Sequence, residues 1–274
     1  MKTVNIRKIS LTLLIFQALF LVGITIAGKI LFDEALVTDF SRKNLPPSLQ
    51  YPFGTDWLGR NMLLRTIVGL SMSIQIGLIT ATVSSIIALA LGAASATMGG
   101  TVDSIISFII DMVMGIPHIL LLILISFAFG RGFHGIVIGI CFTHWTSLAR
   151  LMRAEVLQIK ESTYIKVAEK LGVSKLSIIQ NHMLPHLLPQ FVTGLILLFP
   201  HAILHESSIT FLGFGLSPEQ PAIGIILSES MKYLVMGNWW LAIFPGALLV
   251  FIVILFNTIG ENVRKMTSPS TIHE

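Results

Sequence analysis

The stretch Lys166–Pro185, KVAEKLGVSKLSIIQNHMLP, is a polar, helix-forming island with a single glycine, set in a chain that is otherwise strongly apolar. Of the 274 residues, 54% are hydrophobic and 12% charged, against about 25% charged in a soluble domain. The apolar surplus gathers into runs near the roughly 20 residues that cross a bilayer. The chain therefore reads as an all-α membrane protein whose helices satisfy their own backbone hydrogen bonds in lipid. The net charge of +4 lies mostly in short loops and ends, where it sets orientation and implies no nucleic-acid partner. Cys141 is the one cysteine, so no internal disulfide can form.

Outward from the island, six spans are expected. They are Ile9–Phe32, Thr66–Met98, Ser104–Phe129 broken at Gly115 and Pro117, Ile136–Leu151, Leu188–Leu212 and Trp240–Ile259. The first is long for a signal peptide and lacks a clean small-x-small cleavage site, so it reads as a retained span. With both ends cytoplasmic, eleven Lys and Arg fall on the inner side and seven on the outer. Trp239, Trp240 and Tyr233 suit an interfacial belt at the outer mouth of the last span. The expected units are an N-terminal helix and outer segment (1–65), a five-span core (66–265) and a cytoplasmic tail (266–274). The stretches Val68–Ser73 and Leu89–Gly100 are rich in small residues that let helix backbones approach closely.

The island itself, about 153–187, reads as two short helices around a glycine turn. Good helix formers over Ser162–Leu171 end at Gly172, a natural C-cap, and Ser174 can cap a second helix from Lys175 to about Met183. Pro185 and Pro189 then punctuate the entry to span five. Val167, Leu171, Val173, Leu176 and Ile179 lie among Lys and Glu. A few apolar anchors inside a polar rim make a docking surface; a plain solvated loop is the alternative, although loops without a task are usually shorter.

VAEKLGVSKLSIIQNHMLP resembles the coupling loop of permease subunits of ABC importers. The residues that match are Lys166, Val167, Ala168, Gly172, Ile178 or Ile179, Leu184 and Pro185, with Lys166 standing where the motif has an acid. FGTDWLGRNMLLRTIVG (Phe53–Gly69) and SITFLGFGLSPEQPAIG (Ser208–Gly224) are similar to segments of the peptide/nickel branch, with Asn61 in place of Asp and Ile223 in place of Trp. The chain is thereby identified as resembling the C-type permease of that branch. The resemblance implies a type I ABC importer permease fold with cytoplasmic coupling helices, placed in a bacterial or archaeal plasma membrane. It also implies the partners: a B-type permease, two ATP-binding subunits and an extracytoplasmic solute-binding protein touching Asp33–Arg65 and Gly213–Asn238. No G-x-x-x-x-G-K-[ST] loop occurs, so ATP is used by the partner subunits and none is expected to bind here.

Ionisable groups at membrane depth default to a functional reading. Asp111 and His118, seven apart, fall on roughly one face of span three and, with His201, His205 and Glu206 of span five, are the translocation-path residues expected. Imidazoles suit nickel, zinc and copper. The His201–His205 spacing is similar to a pattern in nickel permease subunits, which makes these two the transient metal candidates; hydrogen bonding to neighbouring helices is the other reading. No firm metal ligand set exists in the sequence. His144, beside Thr143 and Trp145, is expected to anchor at the interface, and His182 and His186 to serve docking or face solvent. The expected cargo is nickel or a metal chelate, with di- or oligopeptides as the alternative. An ion-coupled carrier would need inverted repeats, and a membrane metalloenzyme a tighter ligand motif.

Overall fold

A computed structural model describes residues 6–267, and among these residues it contains no strand. The first helix, α1, covers Ile6–Ile30; α2 is Phe32–Leu36; α3 is Met62–Met98. They are followed by α4 (Gly100–Gly115), α5 (His118–Ala128) and α6 (Phe133–Glu161). Next come α7 (Thr163–Lys170), α8 (Lys175–Ile178), α9 (Leu184–Phe211), α10 (Ile223–Leu234) and α11 (Trp240–Thr267). Among the described residues, α1, α3, α6, α9 (with the turn before it) and α11 are long and apolar enough to cross a membrane. A sixth crossing arises only if α4 and α5, bent by 100°, are one broken span. The expected break is therefore present and larger than a kink. Pro117 drives Ile116 out of the helical region, to φ −92° and ψ 138°.

Two expected boundaries shift. Span four does not stop at Leu151: α6 runs on to Glu161 and includes the first residues of the island. The second island helix does not end before span five either. One turn of π-helix, Ile179–Met183, carries α8 into α9, and the Leu184 amide donates to Ile179 O. Pro185 sits where the π turn passes into α9 and does not stop the chain.

Apolar burial drives little helix association in lipid, because the tails are as apolar as leucine. Close approach does the work instead. A Cβ added at Gly92 of α3 would stand 2.6 Å from the Ala149 carbonyl oxygen of α6, so only glycine allows this crossing. Next to it, at the C-terminal end of α3, charge joins the helices. Arg153 of α6 donates from Nε and Nη2 to the two carboxylate oxygens of Asp103 on α4, each at 2.6 Å. Ser95 of α3 donates to the same carboxylate, and Lys160 Nζ donates to Ala96 O at 2.8 Å.

The opposite end of α3 is capped by residues 37–61, and the motif GTDWLGRN explains itself there. Asn61 Oδ1 accepts from the Leu63 amide at 3.0 Å and starts α3. Asp56 Oδ1 accepts from the amides of Leu58 and Arg60, both at 2.9 Å, while its Oδ2 takes Arg60 Nε at 2.6 Å and Arg65 Nη1 at 2.8 Å. Arg65 reaches on to Glu229 of α10 at 3.0 Å. Trp57 stacks on Tyr233 of α10 with centroids 4.6 Å apart. Gly59 has φ +77°, and a Cβ there would lie 1.7 Å from Asp39 O. Within the same cap, the hydroxyl and amide of Ser41 donate to Asp39 and hold its carboxyl below its ordinary range.

Candidate functional site

Two regions carry chemistry, and the first is the hairpin at the α3 C-terminal end. Its inner face is built by Ile165, Ile178, Met183 and Leu187, which pack with Ala96, Val156 and Ile159 into one buried cluster. Each fully buried isoleucine adds about 1.5–3 kcal/mol where the hairpin meets water. The turn closes at Gly172, whose φ of +80° requires glycine, and Ser174 Oγ accepts from the Ser177 amide at 3.3 Å to cap α8 as expected. The outer face leaves Tyr164, Val167, Leu171 and Val173 exposed, Leu171 at 78%. Ala168 lies between the faces, partly buried against the inner cluster. Ile179 and Leu184 are exposed on the helix that leads into α9, as is Pro185. The side chain of Leu176 is outside the described ones. Lys166 donates to Glu161 Oε2 at 2.6 Å, so the basic residue at the motif's acidic position is neutralised within the chain.

The second region is a cavity of about 670 Å³ between α4, α5, α6 and α9. Imidazoles gather on its wall. The rings of His118 and His205 are 4.3 Å apart by centroid, His118 and His144 4.7 Å, and His144 and His205 4.9 Å. His201 lines the same cavity. His205 Nδ1 lies 2.8 Å from His201 O, and His144 Nε2 lies 3.3 Å from His205 Nδ1. His144 Nδ1 is 3.1 Å from Thr143 Oγ1, which itself donates to Gly139 O at 3.0 Å. Among the described residues, no three His, Cys, Asp or Glu side chains form a group that could hold a metal ion.

The other path residues expected from the sequence are placed elsewhere. Asp111 does not share a face with His118, because the 100° bend lies between them; it pairs instead with Arg150 of α6 on an exposed surface. Glu206 follows His205 in the chain but is fully buried on the other side of α9. It accepts from Ser73 Oγ at 2.7 Å, Ser207 Oγ at 3.2 Å and Thr210 Oγ1 at 3.1 Å. Thr210 Oγ1 in turn accepts from the Leu216 amide at 3.3 Å, so Glu206 orders the turn that follows α9.

A bundle with an exposed hairpin beside its longest crossings invites comparison with known transporters. The family model for the binding-protein-dependent transport system inner membrane component matches residues 86–273. The chain belongs to this family. The dipeptide transport system permease protein DppC of Bacillus subtilis is 30% identical over 93% of this permease and 80% of its own length. The oligopeptide transport system permease protein OppC of Escherichia coli is 30% identical over 95% and 85%. In fold, the permease is similar to the inward-facing MetNI methionine ABC transporter, with a TM-score of 0.62 at 18% identity over 76% of this chain and 98% of that one. A crystal structure of an amino acid ABC transporter with histidines gives 0.56 at 14% identity over 74% and 94%. The permease is thus a multi-pass membrane protein with the type I ABC importer permease fold, and a transporter subunit rather than an enzyme.

His144 is a further residue of the permease, besides Asp111 and Glu206, whose surroundings differ from those the sequence leads one to expect. It is not an interface anchor: it is buried at 8% exposure and joins His118 and His205. Nothing in the α6 sequence marks it, since the cluster exists only once three helices converge.

Proposed function

We propose that the chain is one of two permease subunits of an ATP-driven importer of di- and oligopeptides. The hairpin carries the reading. An apolar outer face on a rigidly backed glycine turn is a surface built to be covered, and a permease without its own phosphate loop needs a motor elsewhere. Val167, Ala168, Leu171 and Gly172 would seat in a groove of an ATP-binding subunit, with Lys166, Ile179, Leu184 and Pro185 at its edge. Closure of the two ATPases would then move both permeases about a path between them, in the alternating manner of transporters generally. A B-type permease supplies the other half of the path, and an extracytoplasmic solute-binding protein delivers cargo to residues 37–61 and the α9–α10 connection. The hairpin end, both termini and the majority of Lys and Arg lie in the cytoplasm of this reading.

Peptide cargo is favoured over nickel by the names of the relatives and by the wall of the cavity, whose imidazoles, among the described residues, form no group that could hold a metal ion. Coexpression with the neighbouring subunits tests both levels. The complex should contain an ATPase, and vesicles loaded with ATP should accumulate labelled dipeptide and not labelled nickel. Uptake that persists with the ATPases deleted would end the importer reading, and nickel uptake without peptide uptake would end the choice of cargo.

A further inference from the structure

The cavity wall sets polar groups among apolar ones and carries no charged side chain among its described lining residues. Thr143, Thr146 and Ser147 join the four imidazoles, and among the described lining residues there is no Asp, Glu, Lys or Arg. Of the two carboxylates close in sequence to these lining residues, Glu206 is turned away and bonded to three hydroxyls, and Asp111 is paired with Arg150.

Taken as neutral rings, the histidines have their protons assigned by their hydrogen-bond partners. His205 Nδ1 faces a carbonyl oxygen at 2.8 Å, so it is the N–H, and its Nε2 holds the lone pair. His144 Nε2 faces that same N–H at 3.3 Å and must accept from it; an imidazolium there would set donor against donor. His144 Nδ1 then donates to Thr143 Oγ1. His118 Nδ1 is buried without a partner. Stranded buried N–H groups are rarer than stranded acceptors, so Nδ1 holds the lone pair and Nε2 is the donor. The neighbouring rings of His118 and His205 thus present one donor and one acceptor, 4.3 Å apart by centroid.

We propose that His118 and His205 form an uncharged donor–acceptor pair that takes up the backbone of a passing peptide, and that the absence of fixed charge on this wall lets peptides of either sign through. The inference rests on the reading of the cargo as peptide. In an extended chain the N–H and C=O of one residue point to the same side, as in the hydrogen-bonded pairs of antiparallel strands. The C=O would accept from His118 Nε2 and the N–H would donate to His205 Nε2. Every peptide offers these groups whatever its side chains. A fixed charge at this position, acting across a few ångströms of cavity, would instead sort cargo by sign by on the order of tenfold.

The test uses the assembled transporter in proteoliposomes with its solute-binding protein saturated by Ala-Ala-Ala, Ala-Lys-Ala or Ala-Glu-Ala. The unaltered transporter and His205→Asn should carry the three in the same ratios. His205→Asp should slow Ala-Glu-Ala relative to Ala-Lys-Ala about tenfold, and His205→Lys should reverse the order. Ser147→Asp and Ser147→Lys, on the same wall but exposed, repeat the measurement should the histidine variants fail to assemble. Ratios that stay put in all charged variants, or that fall equally for both peptides, overturn the pair while leaving peptide import intact. An unaltered transporter that takes up none of the three and takes up nickel instead overturns the cargo reading as well.

Discussion

Arg65 donates from Nη1 to Asp56 Oδ2 at 2.8 Å, with side-chain exposures of 1% and 0%. The bond ties the cap to the first turn of α3, and the second branch of the same guanidinium ties both to Glu229 of α10. Removing one partner of a buried pair costs about 3–5 kcal/mol, and loss of Asp56 would leave the buried guanidinium groups of Arg60 and Arg65 with only the partly exposed Glu229 to share. Asp56→Ala should therefore lower the thermal denaturation midpoint of the detergent-solubilised protein sharply. Arg65→Lys should recover little, because an ammonium cannot copy a fork that holds two carboxylates at fixed geometry. A midpoint unchanged in Asp56→Ala would mean that the cap is not part of the cooperative fold.

Two glycines with positive φ should respond differently to alanine. At Gly59 the new Cβ would meet a backbone carbonyl, which cannot yield as a flexible side chain does, so Gly59→Ala should displace the cap from α3 and expose it to limited proteolysis. At Gly172 a Cβ meets nothing within 4 Å, and the cost is the left-handed conformation alone, about 1–2 kcal/mol. Gly172→Ala should leave the bundle intact and weaken capture of the ATPase on co-purification. Equal protease sensitivity of the two variants would contradict this difference.

The two faces of the hairpin should separate folding from docking. Leu171→Asp changes a side chain that touches solvent, so the protein should insert and fold normally but lose the ATPase and with it peptide uptake. Ile165→Asp puts a charge into the buried cluster and should instead reduce the amount of folded protein recovered. Normal ATPase capture by Leu171→Asp would remove the assignment of the docking face.

The bidentate bond between Arg153 and Asp103 is partly exposed, so its coupling should be moderate. A double-mutant cycle with Asp103→Ala and Arg153→Ala, read by thermal denaturation, should give an interaction of about 0.5–3 kcal/mol, as expected for residues in one network. Simple additivity would show that the ion pair contributes nothing to holding α4 on α6.

Hydropathy located the crossings because length and apolarity are local properties. Gly172 and Ser174 gave the hairpin turn for the same reason: a positive φ and a helix cap are written in single residues. The break at Pro117 was likewise local, although its 100° size was not. What escaped was everything that depends on which face a helix presents. In lipid the outside of a bundle is as apolar as the inside, so periodicity carries little information about facing. Hence the sequence puts the neighbours His205 and Glu206 on one path, although one lines the cavity and the other is buried against Ser73. Hence also Asp111 was paired with His118 by spacing, when its partner is Arg150, thirty-nine positions on. His144 entered the cavity from a third helix that no local pattern could connect to the other two.

The π-helical turn at Ile179–Met183 has a mechanical result. Because it joins α8 to α9 without a break, the stretch from Lys175 to Phe211 is one continuous helical path, roughly 55 Å long at 1.5 Å per residue, with Pro189 and Pro200 inside it as the points where it can bend. Transmitted without bending at those prolines, a tilt of about 10° applied near Lys175 would sweep the far end sideways by roughly 10 Å over that length. His201 and His205 ride on this rod and the turn ordered by Glu206 hangs from its tip, so a small push on the docking hairpin arrives at the other side of the bundle already amplified.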